Sequence, residues 1–158
     1  EPDEQDFLFG DWMIEVKTQV SSSDSRLRIA SENQLDTTSG RIALCHQRLS
    51  SSDSAEPDSR TLNGLVDEIF LDVAGASVAG DRFNSLLIES GYEPKPAYGS
   101  QHWRLSTRDF FEVRDGFPLI TPAMLPLGVD RVRYEITLDS CGPFLVPHDQ
   151  LFSWVFEE

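Results

Sequence analysis

Lysine is nearly absent from this chain of 158 residues: only Lys17 and Lys95 carry an ammonium, and 13 basic side chains face 27 acidic ones. The resulting formal charge of -14 and pI near 4.4 repel phosphate. Nucleic-acid binding therefore cannot rest on bulk charge and needs a local cation or a metal ion. Cysteine is equally scarce, since Cys45 and Cys141 are too few and too far apart for a disulfide framework or a zinc knuckle, which makes a reducing cytoplasm the default compartment. No run approaches the roughly 18 apolar residues of a membrane-spanning helix, no heptad persists and no internal repeat is visible. The chain opens on Glu1 with no initiator Met, apolar leader or twin-arginine signal, so its numbering reads as starting inside a longer protein, of which this is the C-terminal part. What is present, 39% hydrophobic and 10% aromatic residues, suits a single globular domain over residues 1–158.

The apolar runs Phe7-Leu8-Phe9 and Trp12 to Gln19 flank Gly10-Asp11, a dipeptide suited to a two-residue hairpin turn. Further strands are expected at Leu27-Arg28-Ile29, 41–49, 103–113 and 131–138, and a helix start with a Ser cap at 31–35. The apolar positions Leu62, Leu65, Val66, Ile69, Phe70 and Val73 recur at helical spacing, and a second helix is expected over 78–90, stopped by Gly91. The Ser- and Asp-rich stretch 50–59 can bury almost nothing and reads as a surface loop. Pro94, Pro96 and Gly99 mark another loop, and 117–128 is a Pro-rich connection.

The hairpin register carries the chemistry. A two-residue turn at 10–11 sets Phe9 opposite Trp12, Leu8 opposite Met13, Phe7 opposite Ile14 and Asp6 opposite Glu15. Alternation puts Lys17 on the Glu15 face, while Trp12, Ile14, Val16 and Thr18 point the other way. Opposed Cβ atoms lie about 4.5–5.5 Å apart, so Asp6 and Glu15 can share one cation, and two like charges there repel unless something positive sits between them. An all-oxygen site with open positions suits Mg²⁺ with retained waters.

Asp6, eight residues, then Glu15-Val16-Lys17 is the PD-(D/E)xK nuclease signature. With Asn33-Gln34-Leu35-Asp36, Glu89-Ser90-Gly91-Tyr92, Asp115 to Ile120 and Val132-Arg133-Tyr134, the chain resembles a PD-(D/E)xK-motif family of bacteria whose genes lie beside restriction and phage-defence genes. The resemblance implies a Mg²⁺- or Mn²⁺-dependent endonuclease acting on DNA. Asp6, Glu15 and the Val16 carbonyl would be the metal ligands, Lys17 the cation beside the attacking water, and Gln34 a polar group near the scissile phosphate. It also implies a cytoplasmic α/β (α+β) fold with a restriction-endonuclease-like mixed central sheet, flanking helices and a C-terminal β-rich extension. Partners besides DNA are other defence-system proteins and a second copy in a homodimer; a membrane is not among them. A Gly-Glu-containing helix that supplies a further acid in such families has no match here. The rival reading is a non-catalytic nuclease-fold interaction module inside a defence complex.

Each signal has a plainer reading beside it. Glu15 and Lys17 could be a surface pair on a solvated hairpin, and Gln34 an amide on a helix's first turn. Asp3, which follows Pro2 as the literal Pro-Asp pair, lies too far from the strand, so Asp6 is preferred, and Asp11 serves the turn. Cys45 and His46 face opposite ways on a strand and form no dyad; His102 and His148 read as surface groups. Arg26, Arg28, Arg41 and Arg48 either rim the site for a DNA backbone or pair with surface carboxylates. The aromatic cluster of Trp103, Phe110, Phe111, Phe117, Tyr134, Phe144, Phe152, Trp154 and Phe156 reads as core.

Overall fold

The computed structural model describes residues 5–156. Two compact units divide them: residues up to 48 together with those from 106 onward, and residues 49–105.

The first unit holds strands β1 (Phe7–Phe9), β2 (Trp12–Val20), β3 (Arg26–Ile29), β4 (Arg41–Ser51), β5 (Trp103–Val113), β6 (Tyr134–Thr137) and β7 (Leu145–Val146), β4 and β5 carrying the chain out to the second unit and back. Five of them form one mixed sheet in the order β1-β2-β4-β5-β7; β3 and β6 make a separate two-stranded sheet. Gly10 at φ +60° starts the hairpin turn, and the register is the expected one: Phe7 with Ile14, Leu8 with Met13, Phe9 with Trp12. β2 and β4 run the same way. Arg41 N–H donates to Asp11 O (2.9 Å) where both begin, and the Arg48 guanidinium reaches Ser21 O and Ser23 O where β2 has ended. Parallel neighbours need a crossover, here residues 21–40, which contain β3. The crossover re-enters the sheet through Gly40, where a Cβ would stand 2.7 Å from Asp11 O, a clash only glycine avoids.

Side chains alternate between two apolar layers. Met13, Leu27, Ile29, Leu35, Ile42, Leu44, Phe111, Val113, Phe117 and Ile136 pack on one side. Trp12, Ala43, Cys45, Phe110 and Val146 pack on the other, beneath Leu151 and Trp154 of a C-terminal helix, α5 (His148–Phe156). Trp12 stacks on Trp154 at 5.5 Å and Phe9 meets Phe156 edge-on at 5.2 Å.

The second unit carries the two expected helices, α1 (Leu62–Val73) and α2 (Ser77–Glu89), then a short α3 (Pro96–Ser100). Thr61 caps α1 by accepting from Gly64 N–H, and Gly91 at φ +72° ends α2. Phe70 meets Phe83 edge-on at 5.0 Å, and Asn63 ties Tyr92 OH to the Lys95 carbonyl.

Four expectations are corrected. Residues 31–35 hold no helix start, 32–35 being turns, because the Ser31 hydroxyl accepts from Asn33 N–H. Residues 96–100 of the expected loop are helical, with Pro96 at the first helical position. The strand over 131–138 shrinks to Tyr134–Thr137, since the Arg131 and Val132 N–H groups are committed to Glu32; a fourth helix, α4 (Leu138–Cys141), follows. The C-terminal region is less β-rich than expected: β7 has two residues and 148–156 are helix.

Candidate functional site

The hairpin delivers its residues as alternation requires. Trp12, Ile14 and Val16 enter the apolar layer under α5, whereas Met13, Glu15 and Lys17 lie on the opposite face, and Thr18 is exposed. Glu15 is only 2% exposed, a charge that an apolar sheet face tolerates only with partners. Lys17 Nζ lies 2.7 Å from Glu15 Oε1, and Gln34 Nε2 donates to the same oxygen at 2.9 Å. Gln34 Oε1 in turn accepts from Lys17 Nζ (3.1 Å) and from Ala30 N–H (2.7 Å). Acid, amine and amide thus form a closed triangle, in which the amide fixes the amine that faces the acid.

Asp6 lies one residue beyond the β1 ladder. Its exposed carboxylate Oδ2 accepts from Val16 N–H at 2.8 Å, the place a further ladder bond would occupy. In an extended strand a residue's N–H and C=O point to the same edge, so the Val16 carbonyl lies on the Asp6 side of β2. Neighbouring Gln5 donates from Nε2 to Asn33 O and Gln34 O, 3.3 Å each, clipping the turn that carries Gln34. Glu15, Lys17 and Gln34 thus form one hydrogen-bonded set, and Asp6 joins the same stretch of β2 through the Val16 N–H. Pro2 and Asp3 lie outside the described residues.

Two carboxylates, a carbonyl and an amide oxygen make a hard donor set of the kind Mg²⁺ or Mn²⁺ prefers. Among the described residues no group of three or more His, Cys, Asp or Glu gathers for a metal.

Two further groups escape sequence reading. Glu32, 7% exposed, accepts from Arg131 N–H (2.9 Å) and Val132 N–H (2.7 Å), locking the 30–35 turn to a segment about a hundred residues downstream. A hydrogen bond from its own backbone N–H, then those from Val132 and Arg131, hold its carboxyl below the usual range against the opposing effect of burial. His46 is 1% exposed on the Glu15 face of the sheet, its Nε2 at 3.2 Å from Gln19 Oε1 and its Nδ1 at 3.9 Å from Asp109 Oδ2. Gln19 Nε2 donates to Arg26 O, which leaves Gln19 Oε1 as acceptor and puts the imidazole proton on Nε2. Burial and the Arg48 cation push the His46 pKa down, with Asp109 opposing. Only partners remote in sequence distinguish Glu32 and His46 from ordinary polar residues. Cys45 lies in the opposite layer from His46 and forms no dyad with it.

Of the four arginines expected near the site, three are engaged elsewhere. Arg26 pairs with Glu135 at 3.7 Å, Arg41 pairs with Glu112 and covers the Trp12 ring at 4.1 Å, and Arg48 binds the carbonyls of Ser21, Ser23 and Asp24. Arg28 makes no ion pair among the described residues. Phe110, Phe111, Phe117 and Phe144 are core as expected, but Phe152 and Phe156 are 45% and 58% exposed.

A mixed sheet with flanking helices, carrying an acid one step beyond a hairpin ladder and Glu-x-Lys on the paired strand, defines the class: an α+β fold of the PD-(D/E)xK nuclease-like kind. The chain belongs to the family described as "Putative PD-(D/E)XK family member, (DUF4420)", whose model matches residues 1–139. No curated protein and no solved structure matches it.

Proposed function

We propose that the protein is a Mg²⁺- or Mn²⁺-dependent DNA endonuclease of bacterial restriction or phage defence, working as one nuclease-like domain in the cytoplasm. Among the described residues no helix is long and apolar enough to cross a membrane. The observation that carries the reading is the hydrogen-bonded set of Glu15, Lys17 and Gln34 in the middle of β2, with Asp6 bonded to the N–H of Val16 between Glu15 and Lys17.

Asp6, Glu15 and the Val16 carbonyl would hold the ion, which when bound lowers the pKa of water and offsets charge on the scissile phosphate. Lys17, held by Glu15 and Gln34, brings one ammonium to the place where a water must be oriented toward phosphorus. Gln34 keeps that ammonium from swinging into solvent, and the second N–H of its Nε2, beside the one given to Glu15, can donate to a phosphate oxygen. Glu15, almost fully buried, anchors the pair and reduces the reorganisation needed during reaction. Cleavage would leave 5′-phosphate and 3′-hydroxyl ends.

Hydrolysis of plasmid DNA with Mg²⁺ or Mn²⁺, compared between wild type, Glu15→Ala and Lys17→Ala, tests this. Each substitution is expected to lower the rate by about 10²–10³-fold; hydrolysis surviving both overturns the assignment. A second reading, a non-catalytic nuclease-fold module within a defence complex or homodimer, draws on the -14 charge and on the mutual satisfaction of Glu15, Lys17 and Gln34. Calorimetry showing no divalent-ion binding, together with absent hydrolysis, would favour it.

A further inference from the structure

In a chain with 27 acidic residues an arginine has carboxylates within easy reach, so an arginine that pairs with none is informative. Arg48, which pairs with no carboxylate among the described residues, is spent on backbone carbonyls. Among the described residues of the first unit, Arg28, Arg108, Arg131 and Arg133 have guanidinium groups with neither kind of partner. Arg108 lines an apolar groove with Phe110 and Phe152 on the α5 side of the sheet. The other three lie on β3 and on the segment that leads into β6. Arg28 lies on the exposed side of β3, with Glu135 as its cross-strand partner, yet Glu135 pairs with Arg26 instead. Arg131 and Arg133 immediately precede β6, whose first residue Tyr134 pairs with Ile29, and both are exposed. The neighbouring carboxylate Asp130 forms an ion pair with neither.

Their placement is built. Glu32 accepts from the N–H groups of Arg131 and Val132 and holds Arg131 at φ +56°, a left-handed conformation that a non-glycine residue adopts only when its surroundings impose it. Glu32 stands two residues before Gln34, whose side chain holds Lys17 and Glu15. The same turn therefore positions the amide of the candidate site and the backbone that presents Arg131 and Arg133.

We infer that Arg28, Arg131 and Arg133 form the surface that contacts the phosphate backbone of duplex DNA beside the Asp6-Glu15-Lys17 site, with Glu32 as the residue that positions it. The inference rests on the nuclease reading above and says where the substrate lies. It also accounts for nucleic-acid binding by an acidic protein, because local, unneutralised guanidinium groups do the work that net charge cannot.

Binding of the full chain to a short DNA duplex, with Ca²⁺ replacing Mg²⁺ and separately in chelator, is measured as a function of salt. The triple substitution Arg28→Gln, Arg131→Gln, Arg133→Gln is expected to flatten log K against log salt by about 3, roughly one for each phosphate no longer neutralised. The triple Lys variant at the same positions, which keeps the charge and controls for folding, should retain most of the slope. Arg82→Gln, on α2 of the second unit, with Arg108→Gln removes two other arginines without an ion pair among the described residues and should leave it unchanged. Equal flattening by that control pair, or no flattening by the triple Gln variant while wild type binds, would overturn the surface and leave the nuclease reading standing. If wild-type protein binds no duplex in either condition, the nuclease reading fails and this surface fails with it.

Discussion

Two faces of the same strands solve opposite problems. Toward α5, β2, β4 and β5 present Trp12, Ile14, Val16, Ala43, Cys45 and Phe110, and stability there is a matter of area and fit. On the other face the alternate positions start equally apolar, with Met13, Ile42 and Leu44, and then turn polar at Glu15, Lys17, Gln19 and His46. Glu15 and His46 are as hidden as the apolar side chains, so hydrogen bonds must hold them where packing cannot. One face cannot tolerate missing volume, the other cannot tolerate a missing partner, and both rules are written on alternate residues of one strand.

Substitutions can break that comparison, beginning with the largest expected effect. Trp12→Ala removes a ring that is 1% exposed and stacked on Trp154, and should cost about 3–5 kcal/mol in urea unfolding. Lys17→Met conserves length but takes the amine from the buried Glu15 carboxylate; a loss of about 2 kcal/mol is expected. Adding Glu15→Gln to it should restore most of that loss, and a double-mutant cycle measures the recovery. A strictly additive cycle would mean that the two charges do not depend on each other.

Acid titration of stability separates two smaller contributions. The His46 pKa is pushed down from 6.5, so the unfolded chain binds the proton first; the contribution of its neutral form is complete above pH 6.5 and is lost as pH falls below it. His46→Gln should flatten that region, whose slope for one proton is no steeper than about 1.4 kcal/mol per pH unit. Glu32 has a lowered carboxyl pKa, so its contribution is present above the ordinary glutamate range and is lost as pH falls through the lower folded value. Glu32→Gln should remove the loss at that more acidic end only. The smallest effect is on reactivity. Burial raises both thiols; for Cys141, pushed up to about 11 from 9.0, this leaves about 100-fold less thiolate than an exposed cysteine at neutral pH. Neither thiol should be labelled by a disulfide reagent until the protein unfolds.

Local features were legible and remote ones were not. Gly10-Asp11 fixed the register of the first hairpin, and with it the face shared by Glu15 and Lys17, because a two-residue loop leaves the pairing no freedom. The apolar spacing of 62–73 likewise announced α1. Asp6 was expected as a cross-strand neighbour of Glu15, but the ladder ends at Phe7 and the carboxylate caps the Val16 N–H. The helix over 148–156 has a signal in Leu151, Phe152, Val155 and Phe156 at helical spacing, where a β-rich C-terminal extension is expected, and its Trp154 stacks on Trp12. Nothing near Glu32 in sequence points to residues 131 and 132, and nothing near His46 points to Gln19 or Asp109, since these pairings exist only once the sheet is closed.

The Glu32 strap also imposes an order in time. Asp6, Glu15, Lys17 and Gln34 span fewer than thirty residues, so their network closes a short loop, whereas Glu32 must wait for residues 131 and 132, about a hundred positions further along. Longer closure costs more chain entropy and is met later in folding. The acid-amine-amide cluster is therefore expected to take shape while the C-terminal half is still being synthesised, and to gain its rigid mounting only when the last third of the chain arrives.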